Sequence, residues 1–149
     1  MFMYPCNFWF AGLATPTYAP LSPPPPGDLG PIASALKAVQ FDELHLISDH
    51  PRQDSQSYIA WLNTLSSTRI LLHEASLSSP THYEEIYRAA DGVLAGLGNG
   101  ARDQLSFHLS PGTPAMAAVW IILAKTKYPA QLIESSREHR GSTVNPITN

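Results

Sequence analysis

The stretch LSPGTPAM, Leu109–Met116, is where residue types and order could do chemistry. Gly112 permits a tight turn and close backbone approach. Thr113 can cap a helix through its hydroxyl, and Pro114 suits the first helical position. The N–H groups of Ala115 and Met116 are then expected to point, without partners, out of the helix end. The helix dipole favours an anion there, and a phosphate or a nucleotide suits that electrostatics. The same residues also describe an ordinary, well-capped strand-to-helix turn. Spacing alone leaves both readings open.

Other candidates are weaker. In the segment before the turn, Ser106, His108 and Ser110 alternate with Leu105, Phe107 and Leu109, so the polar set shares one strand face. His108 reads more readily as part of a polar seam than as a catalyst, because no carboxylate or nucleophile lies near it in sequence. Asp49 and His50 sit either in a base-recognition position or in an exposed turn. None of the six histidines pairs at metal-ligand spacing, and the single cysteine, Cys6, cannot complete a zinc site. No metal or cofactor is expected. A dinucleotide enzyme is disfavoured, since no G-x-G-x-x-G follows the first strand. The glycine-rich GLGNG, residues 96–100, follows a helix and precedes a strand, which is the wrong context for phosphate.

The elements that must position the turn alternate between strand and helix. Strands are expected at Asn7–Leu13, Asp42–Asp49, Thr68–Ala75, Asp103–Ser110 and Ala130–Ser136. Helices are expected over 28–39, 54–65, 79–97 and 114–127. Asp28 is a candidate cap for the first helix, with Pro31 in its first turn. Tyr58, Trp61, Leu62 and Leu65 share a face of the second. Ser79 before Pro80, or a Thr81–Glu84 capping box, would start the third. The pattern predicts an α/β fold: a Rossmann-like, doubly wound, mostly parallel sheet of about five strands with helices on both faces. With order 3-2-1-4-5, the strand order reverses between strands one and four, where such sheets bind ligands. The exit of strand one, AGLATPT, also carries a glycine followed by Thr-Pro. Residues 1–139 are expected to form one domain, with a Pro-rich loop over 19–27 and an irregular tail over 140–149.

Composition narrows the classes of function. The chain has 149 residues, 44% of them hydrophobic, with a net charge of −3. There is no basic excess to follow a nucleic-acid backbone, so direct DNA binding is not expected. One cysteine suits a reducing compartment, and a cytoplasmic location is expected. The apolar start, MFMYPCNFWFAGLA, has no Lys or Arg before Lys37 and reads as a buried strand rather than a signal peptide or membrane span. The helix from Ala115 to Ala124 is apolar almost all round. It is expected to pack on the sheet on one side and on a second copy on the other, giving a homodimer.

The segment SFHLSPGTPAMAAVWIILAKTKYPAQLIESS resembles the strand-four region of CARF domains, the CRISPR-associated Rossmann-fold sensors. LSSPTHYEEIYRAA is similar to the segment before the third helix of the same family. The likeness spans roughly residues 30–139 and is nearest to the N-terminal sensor domain of RtcR-type sigma-54-dependent activators of RNA-repair genes. The resemblance implies that Gly112, Thr113, Pro114, Ala115 and Met116 help bind a cyclic oligoadenylate or an RNA-end ligand. It also implies a contribution from the loop after strand one, whose nearest equivalents are Gly12, Ala14 and Thr15. Dimers with the ligand across the two-fold axis are implied as well. The chain lacks G-x-x-x-x-G-K-[ST] and the ATPase and DNA-binding regions of RtcR-type proteins, so it is expected to be a sensor whose output lies elsewhere. The leading expectation is a regulatory ligand-sensing domain that controls a transcriptional or CRISPR-type effector. The alternative is a metal-independent ring nuclease that cleaves cyclic oligoadenylate with help from Ser110 and Thr113.

Overall fold

The computed structural model describes residues 8–13, 30–97, 105–138 and 141–147. Its elements run β1 (Phe8–Leu13), α1 (Gly30–Ala38), β2 (Glu43–Ser48), α2 (Arg52–Asn63), β3 (Arg69–Glu74), α3 (Tyr83–Ala95), β4 (Leu105–His108), α4 (Pro114–Thr126), β5 (Ala130–Glu138) and β6 (Gly141–Ile147). One sheet has the order β3-β2-β1-β4-β5-β6. The first five strands pair in parallel, and β6 runs antiparallel to β5.

Both faces of the sheet are covered, because β2 and β4 bury residues in both phases, apolar Leu44, Leu46, Ile47, Leu105 and Phe107 together with polar His45, Ser106 and His108. Leu44 and Leu46 of β2 join Ile133 of β5 in one core under α1 and α2, with Ile32, Leu36, Tyr58 and Leu62 from the helices. Ile47, Leu105, Phe107 and Leu132 turn the other way and pack under α3 and α4. Adjacent strand residues alternate faces, so Ile47 and Leu46 serve opposite cores. Side-chain bonds tie helix to strand as well. Ser55 in the first turn of α2 lies 2.8 Å from Ser48 at the end of β2, hydroxyl to hydroxyl and buried.

Three expectations change. The tail over 140–149 is not irregular throughout, since Gly141–Ile147 forms β6 against β5, with Glu138 opposite Gly141 and Leu132 opposite Ile147. It shows no helical or alternating apolar pattern because it is an edge strand that needs only one neighbour, and Pro146 is tolerated at an edge. Helix α3 starts at Tyr83 with neither Ser79 nor Thr81 as its cap. The His82 ring accepts the Glu85 N–H instead, at 3.3 Å. Ser79 and Thr81 bond each other in the preceding turn. Helix α2 begins at Arg52, two residues before the expected start, because the Pro51 carbonyl accepts the N–H groups of Asp54 and Ser55. The Asp28 cap, the 19–27 loop, Ala14 and Thr15 fall outside the described residues.

Candidate functional site

The site is built where β1 and β4 lie side by side. Phe8, Trp9 and Phe10 pair in parallel with Leu105, Ser106 and Phe107, so both strands deliver their carboxyl ends to the same edge. From β1 the order runs outward through β2 and β3, and from β4 through β5 and β6. This is the reversal at which open parallel sheets leave a crevice. Gly12 lies one residue before the end of β1, opposite Ile47.

Across from it, the chain leaves β4 through Leu109–Pro111 and turns at Gly112, whose φ of +86° is left-handed and favours glycine. Thr113 follows in an extended conformation as the N-cap of α4, and Pro114 starts the helix. Gly112 and Pro114 are exposed, whereas the side chains of Ala115 and Met116 are buried. The last two can meet a ligand only through their backbone.

The Thr113 hydroxyl has its one hydrogen committed. It accepts the Met116 N–H at 3.4 Å and donates to the Pro80 carbonyl at 2.7 Å. The Met116 N–H is therefore not left without a partner, contrary to the expectation above, because the cap satisfies it. The bond to Pro80 was not legible in the sequence, since it joins residues 33 positions apart. It fastens the start of α4 to the loop between β3 and α3. Removing the hydroxyl as Thr113→Ala is expected to cost about 1 kcal/mol, in the range typical of lost N-caps, with Thr113→Ser largely restoring it. Urea unfolding of the two variants checks this, and a serine variant as weak as the alanine one would show that the methyl group matters instead.

His108 belongs to a seam, not to the crevice. It is fully buried, and its Nε2 lies 2.7 Å from Ser135 Oγ. Ser135 spends its hydroxyl hydrogen on the Pro31 carbonyl at 3.1 Å, so the His108 Nε2–H is the donor. Burial holds the imidazole pKa down at about 3, so the ring stays neutral. Ser110 is drawn into the same seam. It accepts the Ser135 N–H at 2.7 Å and donates to the Ser135 carbonyl at 3.3 Å. Its hydroxyl stitches the exit of β4 to β5.

His50 is buried with its N–H on Ser48 Oγ, which excludes an exposed turn for that residue. Asp49 is half-buried and lines a small niche with Ile47, Leu77, Ile86, Met116 and Trp120. The niche opens beside the first turns of α4. Two histidines that no sequence spacing connected come together on β2 and β3, where His45 Nδ1 lies 2.9 Å from His73 Nε2. Burial lowers the pKa of both, and Glu43 accepts from His45 at 3.2 Å. No group of three or more His, Cys, Asp or Glu side chains that could hold a metal occurs among the described residues.

No protein-family model and no curated protein matches the chain. Solved structures do. Csm6 of Enterococcus italicus, bound to cyclic hexa-2'-fluoro-hexa-dAMP, superposes with a TM-score of 0.70 at 11% identity over 89% of this chain. Can2 of Sulfobacillus thermosulfidooxidans, in complex with cyclic tetra-adenylate, gives a TM-score of 0.62 at 13% identity, also over 89%. This chain shares the Rossmann-like α/β architecture of both structures. The chain spans 34% of the Csm6 chain and 33% of the Can2 chain. At such identities the likeness speaks for the architecture alone, and the chemistry must come from this chain's own residues.

Helix α4 is not bare around its whole circumference. Met116, Val119, Trp120 and Leu123 are covered by the sheet and α3, which leaves Ile121 and Ile122 exposed at 41% and 48%. No helix among the described residues is long and apolar enough to cross a membrane.

Proposed function

We propose that this chain is a ligand-sensing domain that binds a cyclic oligoadenylate, or a chemically similar RNA-end anion, at the carboxyl ends of β1 and β4. The observation that carries the reading is the left-handed turn at Gly112 opening onto the capped start of α4, beside the end of β1. A helix start presents N–H groups and the positive end of the dipole to a phosphate. Gly112 lets a phosphate approach the backbone, while Thr113 holds the turn in place rather than donating to the ligand. Gly12, near the end of β1, faces the same crevice, and the resemblance adds Ala14 and Thr15 to the proposed ligand contacts. Csm6 and Can2, which share this fold over about a third of their chains, are bound to cyclic oligonucleotides, which favours this class of anion over others.

The exposed Ile121 and Ile122 on α4 suit a second copy, so the ligand would act on a homodimer. A change in dimer geometry would then pass to an effector of transcriptional or CRISPR type. A sensing role is favoured over cleavage because Ser110 and Thr113, the hydroxyls nearest the turn, are both occupied by backbone partners.

Calorimetric titration of the folded protein with cyclic tri-, tetra- and hexa-adenylate, and with RNA ending in a 2′,3′-cyclic phosphate, tests the reading. Chromatography of the recovered ligand completes it. Saturable binding with intact ligand is the expected result. A linear product would transfer the function to a ring nuclease, and no binding of any of the four would reduce the Gly-Thr-Pro turn to a cap.

A further inference from the structure

The sheet ends at β3, which pairs only with β2 among the described residues. Its backbone phase is fixed by two bonds at its flanks. The Arg69 N–H donates to Asp42, and the Ala75 N–H donates to Ser48. Odd-numbered residues therefore direct their amides inward to β2. Ile70, Leu72 and Glu74 direct theirs outward, as the alternation of a parallel ladder requires. The side chains of those same residues lie on the α2 face of the sheet, where Ile70 and Leu72 are half-buried.

Beside this edge runs a groove of about 320 Å³, between β3 and the outer flank of α2. Ile59, Ile70 and Leu72 give it an apolar floor, and the amide side chains of Gln56 and Asn63 stand along its helical wall. At the carboxyl end of β3, Arg52 and Glu74 pair at 3.6 Å, with their side chains 70% and 51% exposed.

Edge strands are usually blunted by proline, lysine or a bulge. The strand RILLHE has no proline or lysine and keeps a continuous register with β2 over all six residues. Its charges stand at the two ends, leaving Ile70 and Leu72 unguarded on the groove side. We propose that β3 and α2 form a binding groove for an extended peptide segment of a partner protein, which adds to the sheet as a further strand. The backbone chemistry selects this occupant. Only a strand offers carbonyls and amides at the spacing that Ile70, Leu72 and Glu74 present, and every second side chain of such a strand would drop onto the apolar floor. A nucleic acid fits poorly, because the groove's one cation, Arg52, is neutralised by Glu74. The site is separate from the α4 turn and does not depend on the ligand proposed there.

The test is selection of binders from a phage-displayed random decapeptide library, followed by amide hydrogen exchange of the full chain with a selected peptide. The expected peptides alternate apolar and polar residues. They should slow exchange at Ile70, Leu72 and Glu74 by about tenfold or more, while Leu71 and His73, already turned toward β2, change little. N-methylation of the peptide at alternate residues should abolish the protection. So should Ile59→Lys, which places a charge on the floor from a half-buried position and whose fold is checked by circular dichroism. Protection mapped elsewhere would overturn the proposal. So would strong protection of the three amides without peptide, which would mean that the chain's own residues or a second copy already cover the edge.

Discussion

Between pH 7 and pH 5 the domain is expected to lose about 2 kcal/mol of stability through His108 alone. The imidazole is fully buried at the end of β4, and burial lowers its pKa from 6.5 to about 3. The sign follows from proton binding. Above pH 6.5 the ring is neutral in both states and contributes no pH dependence. Below it, the unfolded chain takes up a proton that the folded chain refuses, so stability falls as pH falls, at about 1.4 kcal/mol per unit, until pH reaches the folded value near 3. His45 and His73, also lowered by burial, add loss of the same sign. Carboxylates enter only further down. Asp91 and Glu85 are held below their ordinary values by Lys127 with Tyr128 and by Ser78 respectively, so both stay ionised in this window. Urea midpoints at pH 7, 6 and 5 measure the effect. His108→Gln keeps an N–H donor toward Ser135 but cannot titrate, so it should flatten most of the slope. An unchanged slope in that variant would assign the loss to other groups.

That histidine shows which parts of this protein can be read from sequence. The alternation of Ser106, His108 and Ser110 placed three polar groups on one face of β4, and the absence of a nearby carboxylate argued for a seam. Both inferences used only local spacing. The partner at the other side of the seam, Ser135, lies 27 residues on, and the Pro31 carbonyl that fixes the tautomer lies 104 residues from Ser135. Such partners depend on strand order, which local spacing does not encode. The start of α4 divides in the same way. Gly112, Thr113 and Pro114 were legible as turn, cap and first helical residue because each acts on its immediate neighbours. The anchor of Thr113 on Pro80 was not, because it bridges two loops. The start of α3 misled for a different reason. Ser79, Thr81 and His82 are all competent near a helix start, and the Ser79–Thr81 bond decides among them by forming a separate turn. Strand β6 left no periodic signal, because one neighbour and backbone bonds suffice to hold an edge strand.

Trp120→Ala is expected to cost about 3–5 kcal/mol, the largest effect of any substitution considered, by analogy with large-to-small changes of buried aromatics. Trp120 is 3% exposed, and its ring meets the fully buried Phe107 of β4 with centroids 4.8 Å apart. The pair joins the second turn of α4 to the strand that delivers Gly112. Truncation would leave a cavity against Phe107, Ile86 and Met116 that the sheet cannot close, because β4 is held by neighbours on both sides. The consequence reaches the anion site. The first turn of α4 keeps its direction through two supports, the Thr113–Pro80 bond and the packing of Met116 and Trp120. The substitution leaves the first intact and weakens the second. Ligand affinity should therefore fall in Trp120→Ala even where enough folded protein remains to titrate, and Trp120→Phe should recover most of both losses. Urea unfolding alongside calorimetry separates the two effects. Ile122→Ser supplies the contrast, since its side chain is 48% exposed on the same helix. It should leave the unfolding of a monomer within about 0.5 kcal/mol of the parent. At higher protein concentration the proposed homodimer predicts a stability loss in Ile122→Ser that grows with concentration, and its absence would show that no second copy covers this face of α4.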